Sequence, residues 1–471
     1  MVSKRKGKVL IANRGEIATR IARACRELGL DYVVIYTEGD KESDHVYPYL
    51  QEKGEKKAWK VSSYTDPNDI LAVADHTGCT AIHPGYGFFS EDYRFARRVT
   101  TRSRPLTFIG PDWGVIKDLG DKINTKKVAE ELDIPTIPGT SDPIYNELDA
   151  EVIAENLMRA QRRQGINEPS ILVKAAAGGG GMGIEEVYQL EQFRRTYRQI
   201  TNYAKRQFGD GGVLIEQCLR DYNHIEVQLT CNKHGERVHF GTRNCTIQST
   251  GRQKRLEAAP GFDTSCYSYN FDARKVLEEI VSYSLKLADH VQYDNVGTWE
   301  WIVTREGQPY LLEVNTRIQV ENDVSARISY IDNKQPNLIQ EQIRLALGDK
   351  LGYSQKDIEF KGASIEFRIV AENPDKGFIP WIGTISRFSY SDADWAAVYT
   401  HVPCDRPYLI PSDYDPNLAL AVVWGENMDQ AKERGRNFLK GIEIAGNNGA
   451  GEPIQTNLDY LQRNIDKLLT F

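Results

Sequence analysis

The stretch Glu313-Val-Asn-Thr-Arg-Ile-Gln-Val-Glu321 carries a polar side chain at every second position. Held extended, it puts Glu313, Asn315, Arg317, Gln319 and Glu321 on one face and Val314, Thr316, Ile318 and Val320 on the other, because successive side chains of a strand alternate. A half-buried strand with a solvated outer face shows the same pattern. What precedes the stretch separates the two readings. A second strand-like segment, Gly297-Thr-Trp-Glu-Trp-Ile-Val303, leads through Thr304 and Pro309 into Tyr310-Leu-Leu-Glu-Val-Asn315. With Glu306-Gly307 as a two-residue hairpin turn, Glu300 faces Glu313 and Thr298 faces Asn315. Like charges directly opposite on a sheet are destabilising, at Cβ separations of about 4.5–5.5 Å. Two facing carboxylates beside an amide make sense around a divalent cation. Oxygen-only ligation with few protein ligands suits Mg²⁺ bridging to phosphates.

The 471 residues leave room for two or three domains. With 40% hydrophobic and 27% charged residues the composition is that of a soluble globular protein. No apolar run approaches ~18 residues, so no transmembrane helix is expected. The basic start, MVSKRKGKVLIAN, runs directly into a strand-like segment and not into a signal-peptide core. A net charge of −7 argues against general nucleic-acid affinity. The seven cysteines are scattered without a C-x-x-C pair, and the eight histidines never form H-x-x-x-H. This favours reduced thiols in a cytoplasm and gives no zinc site.

Strand-like and helix-like segments alternate at the start: KVLIANRG, then EIATRIARACRELG closed by Gly29, then YVVIYT, with AIHPGYGF and PLTFIGP continuing the pattern. Residues 1–117 therefore read as a parallel, Rossmann-like α/β unit. A central region over 118–350 holds a glycine-rich loop, β-rich runs and the hairpin. Residues 351–471 turn to short strands, prolines and one helix, the pattern of a third, α+β domain.

In the central region, ILVKAAAGGGGMG sets Lys174 near a strand end with Gly178 to Gly181 and Gly183 beyond it. Contiguous glycines expose backbone N–H groups and let the chain approach phosphates. A mobile surface loop is the competing reading of the glycines alone. No G-K-[ST] follows, so this is not a Walker A loop. Lys174 and Lys122 could each supply a cation to nucleotide phosphates. In VLIEQCL, Glu216 and Leu219 are spaced like a linker whose backbone reads an adenine edge, and a buried strand fits that segment too.

Taken together, the lysines, the glycine-rich flap and the Glu…Glu-x-Asn set resemble the ATP-grasp superfamily, and more narrowly biotin carboxylase. The resemblance runs from K-V-L-I-A-N-R-G-E-I-A through HPGYGF-x-SE (His83 to Glu91), F-I-G-P, G-D-K, the flap, H-I-E-V-Q, E-V-N-T-R-I-Q-V-E and E-F-R-I-V-A-E. It implies a three-domain ATP-grasp architecture with a lid over about 140–214. It further implies that Lys122, Lys174, Glu216, His224 and Gln248 hold ATP, with Leu219 near the adenine and Gly179, Gly180, Gly181 and Gly183 in the lid. Glu300, Glu313 and Asn315 would ligate Mg²⁺ or Mn²⁺, two ions in all. Arg317, Gln319 and Val320 would cradle bicarbonate, and Glu321 would deprotonate it. Lys254 would neutralise charge between bicarbonate and the γ-phosphate. Arg368, with Tyr86 nearby, would stabilise the enolate of the biotin ureido ring. None of Met1, Met158, Met182 and Met428 precedes a lysine, so biotin is expected on a separate biotin carboxyl carrier protein. A carboxyltransferase is a further expected partner, and the family suggests a homodimer.

The chain also departs from the family. The usual C-S-x-Q-R-R-H-Q-K becomes C-T-I-Q-S-T-G-R-Q-K between Cys245 and Lys254, one residue longer and without the arginine pair or histidine. Lys254 matches only across a gap, and Arg252 could stand in for a lost cation. The expected E-H-P-V-T-E becomes Glu321-Asn-Asp-Val-Ser-Ala326, and Met182 replaces an arginine common in the flap. Two other readings stay open: an ATP-grasp ligase acting on a different nucleophile, and a degenerate structural partner chain.

Overall fold

The computed structural model describes residues 7–52, 54–176, 183–249 and 253–470. Strands β1 (Lys8–Ile11), β2 (Asp31–Tyr36), β3 (Ala58–Lys60), β4 (Ala81–His83) and β5 (Thr107–Phe108) form one sheet in the order β3-β2-β1-β4-β5. Every neighbouring pair is parallel. Both faces of a parallel sheet are covered, which explains why Val9 to Ile11 and Val33 to Ile35 are uninterrupted apolar runs with at most 1% exposure. The chain leaves β1 through Gly15, whose φ of +70° a side chain would resist, and enters helix α1 (Gly15–Glu27) at once. Ile17, Ile21 and Cys25 make the buried face of α1.

A smaller sheet is built from β6 (Ile171–Ala175), β7 (Ile184–Val187) and β8 (Val213–Gln217), in the antiparallel order β7-β6-β8. Helices α2 (Glu147–Arg163) and α3 (Leu190–Phe208) supply Ala154, Met158, Phe193 and Tyr197 to the core shared with its strands.

The largest sheet has eight strands. Its members are β9 (Asn223–Cys231), β10 (Arg237–Gln248), β11 (Lys254–Ala259), β12 (Asn295–Val303), β13 (Pro309–Asn315), β14 (Ala363–Val370), β15 (Ala396–Thr400) and β16 (Asn417–Gly425). Their order is β13-β12-β9-β10-β11-β14-β16-β15. One sheet thus continues from the central region into the C-terminal one. Helix α4 (Asn322–Ile328) follows directly on Glu321.

The chain divides into two compact units. The first comprises Met1–Gly120, Asn223–Glu300 and Val314–Phe471, the second Asp121–Tyr222 and Trp301–Glu313.

The hairpin turn differs from its prediction. Gly307 N–H donates to the Thr304 carbonyl at 3.0 Å, and Thr304 N–H to the Gln308 carbonyl at 3.0 Å. The loop is therefore the three residues Arg305-Glu306-Gly307, with Gly307 at φ +80°. A two-residue turn on Glu306-Gly307 of the type that fits a hairpin needs positive φ at the glutamate as well, which a side chain disfavours. The three-residue loop confines that conformation to the glycine. It also shifts the register leaving the turn by one residue, so a direct facing of Glu300 and Glu313 does not follow from the turn.

Candidate active site

In the first unit every residue of β9 is buried, yet His224, Glu226 and Gln228 alternate with Ile225, Val227 and Leu229. One face of this strand joins the apolar core while the other carries polar groups under cover. Strand β14 repeats the alternation, with buried Glu366 and partly exposed Arg368 between Ile365, Phe367 and Ile369. A buried polar row must find partners within the protein; the β9 row finds them in one cluster, which Arg368 of β14 joins while the Glu366 oxygens accept no hydrogen bond from the described residues.

Lys254, the first residue of β11, is the hub. Its Nζ touches Glu226 and lies 3.0 Å from both Glu300 Oε1 and Glu321 Oε1. The other oxygen of Glu321 accepts from Arg368 Nη2 at 2.9 Å. Glu300 Oε1 also accepts from Asn315 Nδ2 at 2.7 Å and Gln319 Nε2 at 2.8 Å, while its Oε2 lies 2.7 Å from His224 Nε2. Gln248 Nε2 sits 3.0 Å from the other nitrogen of that histidine. Arg317 donates to Glu91 at 2.8 Å and to Asn315 Oδ1 at 3.0 Å. Helix α1 anchors the loop before α4, since Arg20 donates to Asn322 Oδ1 at 2.9 Å and to the Val320 carbonyl at 3.4 Å. Tyr86 donates to Glu16 on the same helix.

The charge balance fixes protonation. Burial alone would raise the Glu321 carboxyl, but Lys254, Arg368 and Arg243 outweigh it and hold it well below the usual carboxylate range. Glu300 is likewise held low against its burial, by Lys254 and His224. Burial would pull Lys254 down, and Glu226, Glu300 and Glu321 push it well above the ordinary lysine value instead. Lys254, Glu300 and Glu321 are therefore ionised at neutral pH.

In the second unit, Lys174 on β6 is paired with Glu216 on β8. Lys126 approaches the same glutamate at 3.7 Å and donates to the Ile137 carbonyl at 2.8 Å. Lys122 lies 2.7 Å from Glu313. Leu219 follows two residues after β8. Gly183 has φ +69°, and a Cβ there would meet the Tyr203 ring at 2.8 Å. Gly179, Gly180, Gly181 and Arg252 lie outside the described residues.

Lys254, Glu321, Arg368, Glu300, Asn315, Gln319, His224 and Gln248 are thus gathered into one cluster. Sequence reasoning named no role for Glu226, Arg243, Glu257, Glu366, Lys126 or Glu91. For Glu226 and Glu366 a signal existed, the period-two polar residues inside otherwise apolar strands. Arg243 is fully buried and donates to Glu226, Gln228, Ser325 and, at 2.8 Å, Gln319 Oε1, so it fixes which way the Gln319 amide points.

Three family models match the chain. Residues 5–116 match the N-terminal domain of biotin carboxylase, 121–354 the ATP-binding domain of the carbamoyl-phosphate synthase L chain, and 366–467 the C-terminal domain of biotin carboxylase. The small subunit of 2-oxoglutarate carboxylase from Hydrogenobacter thermophilus is 38% identical over 93% of this chain and 87% of that one. The biotin carboxylase domain of the Hydrogenobacter enzyme, solved with MgADP, ADP and bicarbonate, superposes with a TM-score of 0.84 at 36% identity, covering 98% of this chain and 94% of that one. The crystal structure of the biotin carboxylase subunit of pyruvate carboxylase superposes with a TM-score of 0.75 at 34% identity, over 98% of this chain and 94% of its own.

The matching family models and neighbouring structures make the chain an ATP-grasp ligase, with the Rossmann-like, ATP-grasp and C-terminal architecture expected of one. Within that class the chain belongs to the biotin carboxylase family, and it is an ATP-dependent carboxylating enzyme. Among the described residues no helix is long and apolar enough to cross a membrane.

Proposed function

We propose that this chain carboxylates biotin borne by a separate biotin carboxyl carrier protein, using ATP and bicarbonate, and hands the product to a carboxyltransferase. The names of its relatives as carboxylase subunits support that arrangement. A homodimer working in the cytoplasm completes the reading, since the neighbouring structure is described as a dimer.

One observation carries the reading: Lys254 joins Glu226, Glu300 and Glu321, and Glu321 in turn holds Arg368. The segment before Lys254 is altered and longer than the family pattern, yet the lysine still reaches the acids that the chemistry requires. Bicarbonate is a poor electrophile, so its oxygen first attacks the γ-phosphate of ATP, displacing ADP and giving carboxyphosphate. In-line attack gathers negative charge on the transferring oxygens, and Lys254 is the cation assigned to it, with Arg317, Gln319 and the Val320 backbone orienting bicarbonate. Glu321 takes the bicarbonate proton. Its depressed pKa keeps it unprotonated but makes it a weak base. Incoming anions that draw on the Lys254 charge weaken its hold on Glu321, and the basicity of Glu321 rises. Arg368 then faces the oxygen of the biotin ring, with Tyr86 nearby.

The donors Glu300 and Asn315 are all oxygen and suit Mg²⁺ or Mn²⁺. Asn315 now offers Nδ2 to Glu300 and Oδ1 to Arg317, so holding the ion requires its amide to turn over. Such an ion, held there, would supply neutralising charge to the phosphate oxygens. The resemblance adds Glu313, and assigns Lys122, Lys174, Glu216, Leu219, His224, Gln248 and the flap glycines Gly179 to Gly181 and Gly183 to ATP.

The test is ATP cleavage with and without bicarbonate and free biotin. Cleavage that requires bicarbonate and rises with biotin is expected. Cleavage indifferent to biotin would point to a ligase for another nucleophile.

A further inference from the structure

Two buried carboxylates beside the cluster have no part in the chemistry above. Glu257 on β11 lies directly opposite Glu366 on β14, so both side chains leave the sheet on one face, with Cβ atoms about 4.5–5.5 Å apart. Both are 0% exposed. The cation in contact with them is Arg368, whose Nη2 lies 2.6 Å from Glu257 and whose Nε lies 3.8 Å from Glu366. That same Nη2 also serves Glu321 at 2.9 Å. Further groups facing the pair are Glu321 toward both, Lys254, Glu226 and the Cys245 thiol toward Glu257, and Arg20 toward Glu366. Lys254 is already shared by Glu226, Glu300 and Glu321, and Arg20 lies 3.6 Å from Glu16. One guanidinium thus meets three carboxylates that are closed off from solvent. Two adjacent carboxyls in such surroundings do not both ionise, because neither desolvation nor mutual repulsion is compensated. Burial raises Glu257 to about 7, and burial together with the charge of Glu257 raises Glu366 well above the ordinary carboxylate value.

We propose that Glu257 and Glu366 share one proton at neutral pH, and that this proton keeps Arg368 from being fully neutralised, so that its charge is available to the biotin oxygen. The functional half of this inference rests on the reading of Arg368 given above. Glu257 and Glu366 are positioning residues, since they touch Arg368 and not the reacting atoms. Raising the pH takes the pair from one negative charge to two and cancels more of the Arg368 field. Carboxylation of biotin therefore declines on the alkaline side. Bicarbonate-dependent ATP cleavage without biotin, which makes no use of Arg368, does not share that decline.

Infrared difference spectroscopy on the whole chain, combined with pH profiles, tests both halves. In the wild type a protonated-carboxyl C=O absorption is expected at neutral pH, fading as the pH rises and missing from the Glu257→Gln/Glu366→Gln double variant. Either single glutamine caps the pair at one negative charge at every pH. Glu257→Gln and Glu366→Gln are each expected to move the alkaline limb of kcat/KM for biotin upward by about one pH unit or more. If one of the two fails to fold, the other carries the measurement. Absence of the carboxyl absorption, or an alkaline limb unmoved in a folded single variant, overturns the proposal. Arg368→Ala with full biotin carboxylation would instead remove the site reading, while the infrared absorption would still report the shared proton.

Discussion

The two units handle charge in opposite ways. In the first, Lys254 and Arg368 have side chains 14% and 18% exposed, and they are shared among Glu226, Glu257, Glu300 and Glu321, none more than 6% exposed. In the second, Lys122 is 62% exposed beside a Glu313 that is 31% exposed, and Lys174 is 23% exposed beside Glu216. A buried, shared network fixes its members, because removing one leaves the others uncompensated. Lys122 is held by an exposed pair that contributes little to stability, and it can turn toward a nucleotide at small cost. The first arrangement suits groups that must be in place before the reactants arrive. The second suits groups that follow a ligand.

Breaking the buried network should give the largest effect. Lys254→Gln leaves three carboxylates without their shared cation. We expect bicarbonate-dependent ATP cleavage to fall by about 10²–10³-fold, with a stability loss of about 3–5 kcal/mol, read by steady-state kinetics and denaturant unfolding. If Arg252 substitutes for Lys254, the kinetic loss would be small. Glu313→Gln, in the half-exposed set, should change stability by no more than about 1 kcal/mol while weakening the Mg²⁺ dependence of turnover. An unchanged Mg²⁺ titration would strike Glu313 from the ligand set.

The smallest effect is on stability against pH, and its two signs separate the acids. Glu300 and Glu321 are depressed in the folded state, so their contribution is present above the unfolded carboxylate value and is lost as the pH falls through their lowered values. Glu257 and Glu366 are raised, so their contribution is complete below the unfolded value and is lost as the pH rises, for Glu257 through about 7. Thermal melts should show a decline in stability from mildly acidic to neutral pH in the wild type, and a shallower decline in Glu366→Gln.

Much of the fold is legible along the chain. The alternating strands and helices of the first 117 residues, and the motif from Glu313 to Glu321, announce their surroundings because period-two and period-3.6 patterns are local. The hairpin turn misleads because Glu306-Gly307 looks like a two-residue turn until the φ required of Glu306 is considered. Lys254 is obscured by an insertion in the segment before it, although the lysine begins a strand that aims it at the same acids. The pair Glu257–Glu366 is invisible for a different reason. The period-two pattern singles out Glu366 but not its partner, and only the pairing of β11 with β14, strands far apart along the chain, brings the two acids together.

Glu321 tests the whole reading most directly. Transfer of labelled bicarbonate to biotin by Glu321→Gln, measured alongside nucleotide binding, should show carboxylation abolished and ATP still bound. Wild-type turnover in that variant would contradict the assignment of the base, and with it the chemistry built around Lys254 and Arg368.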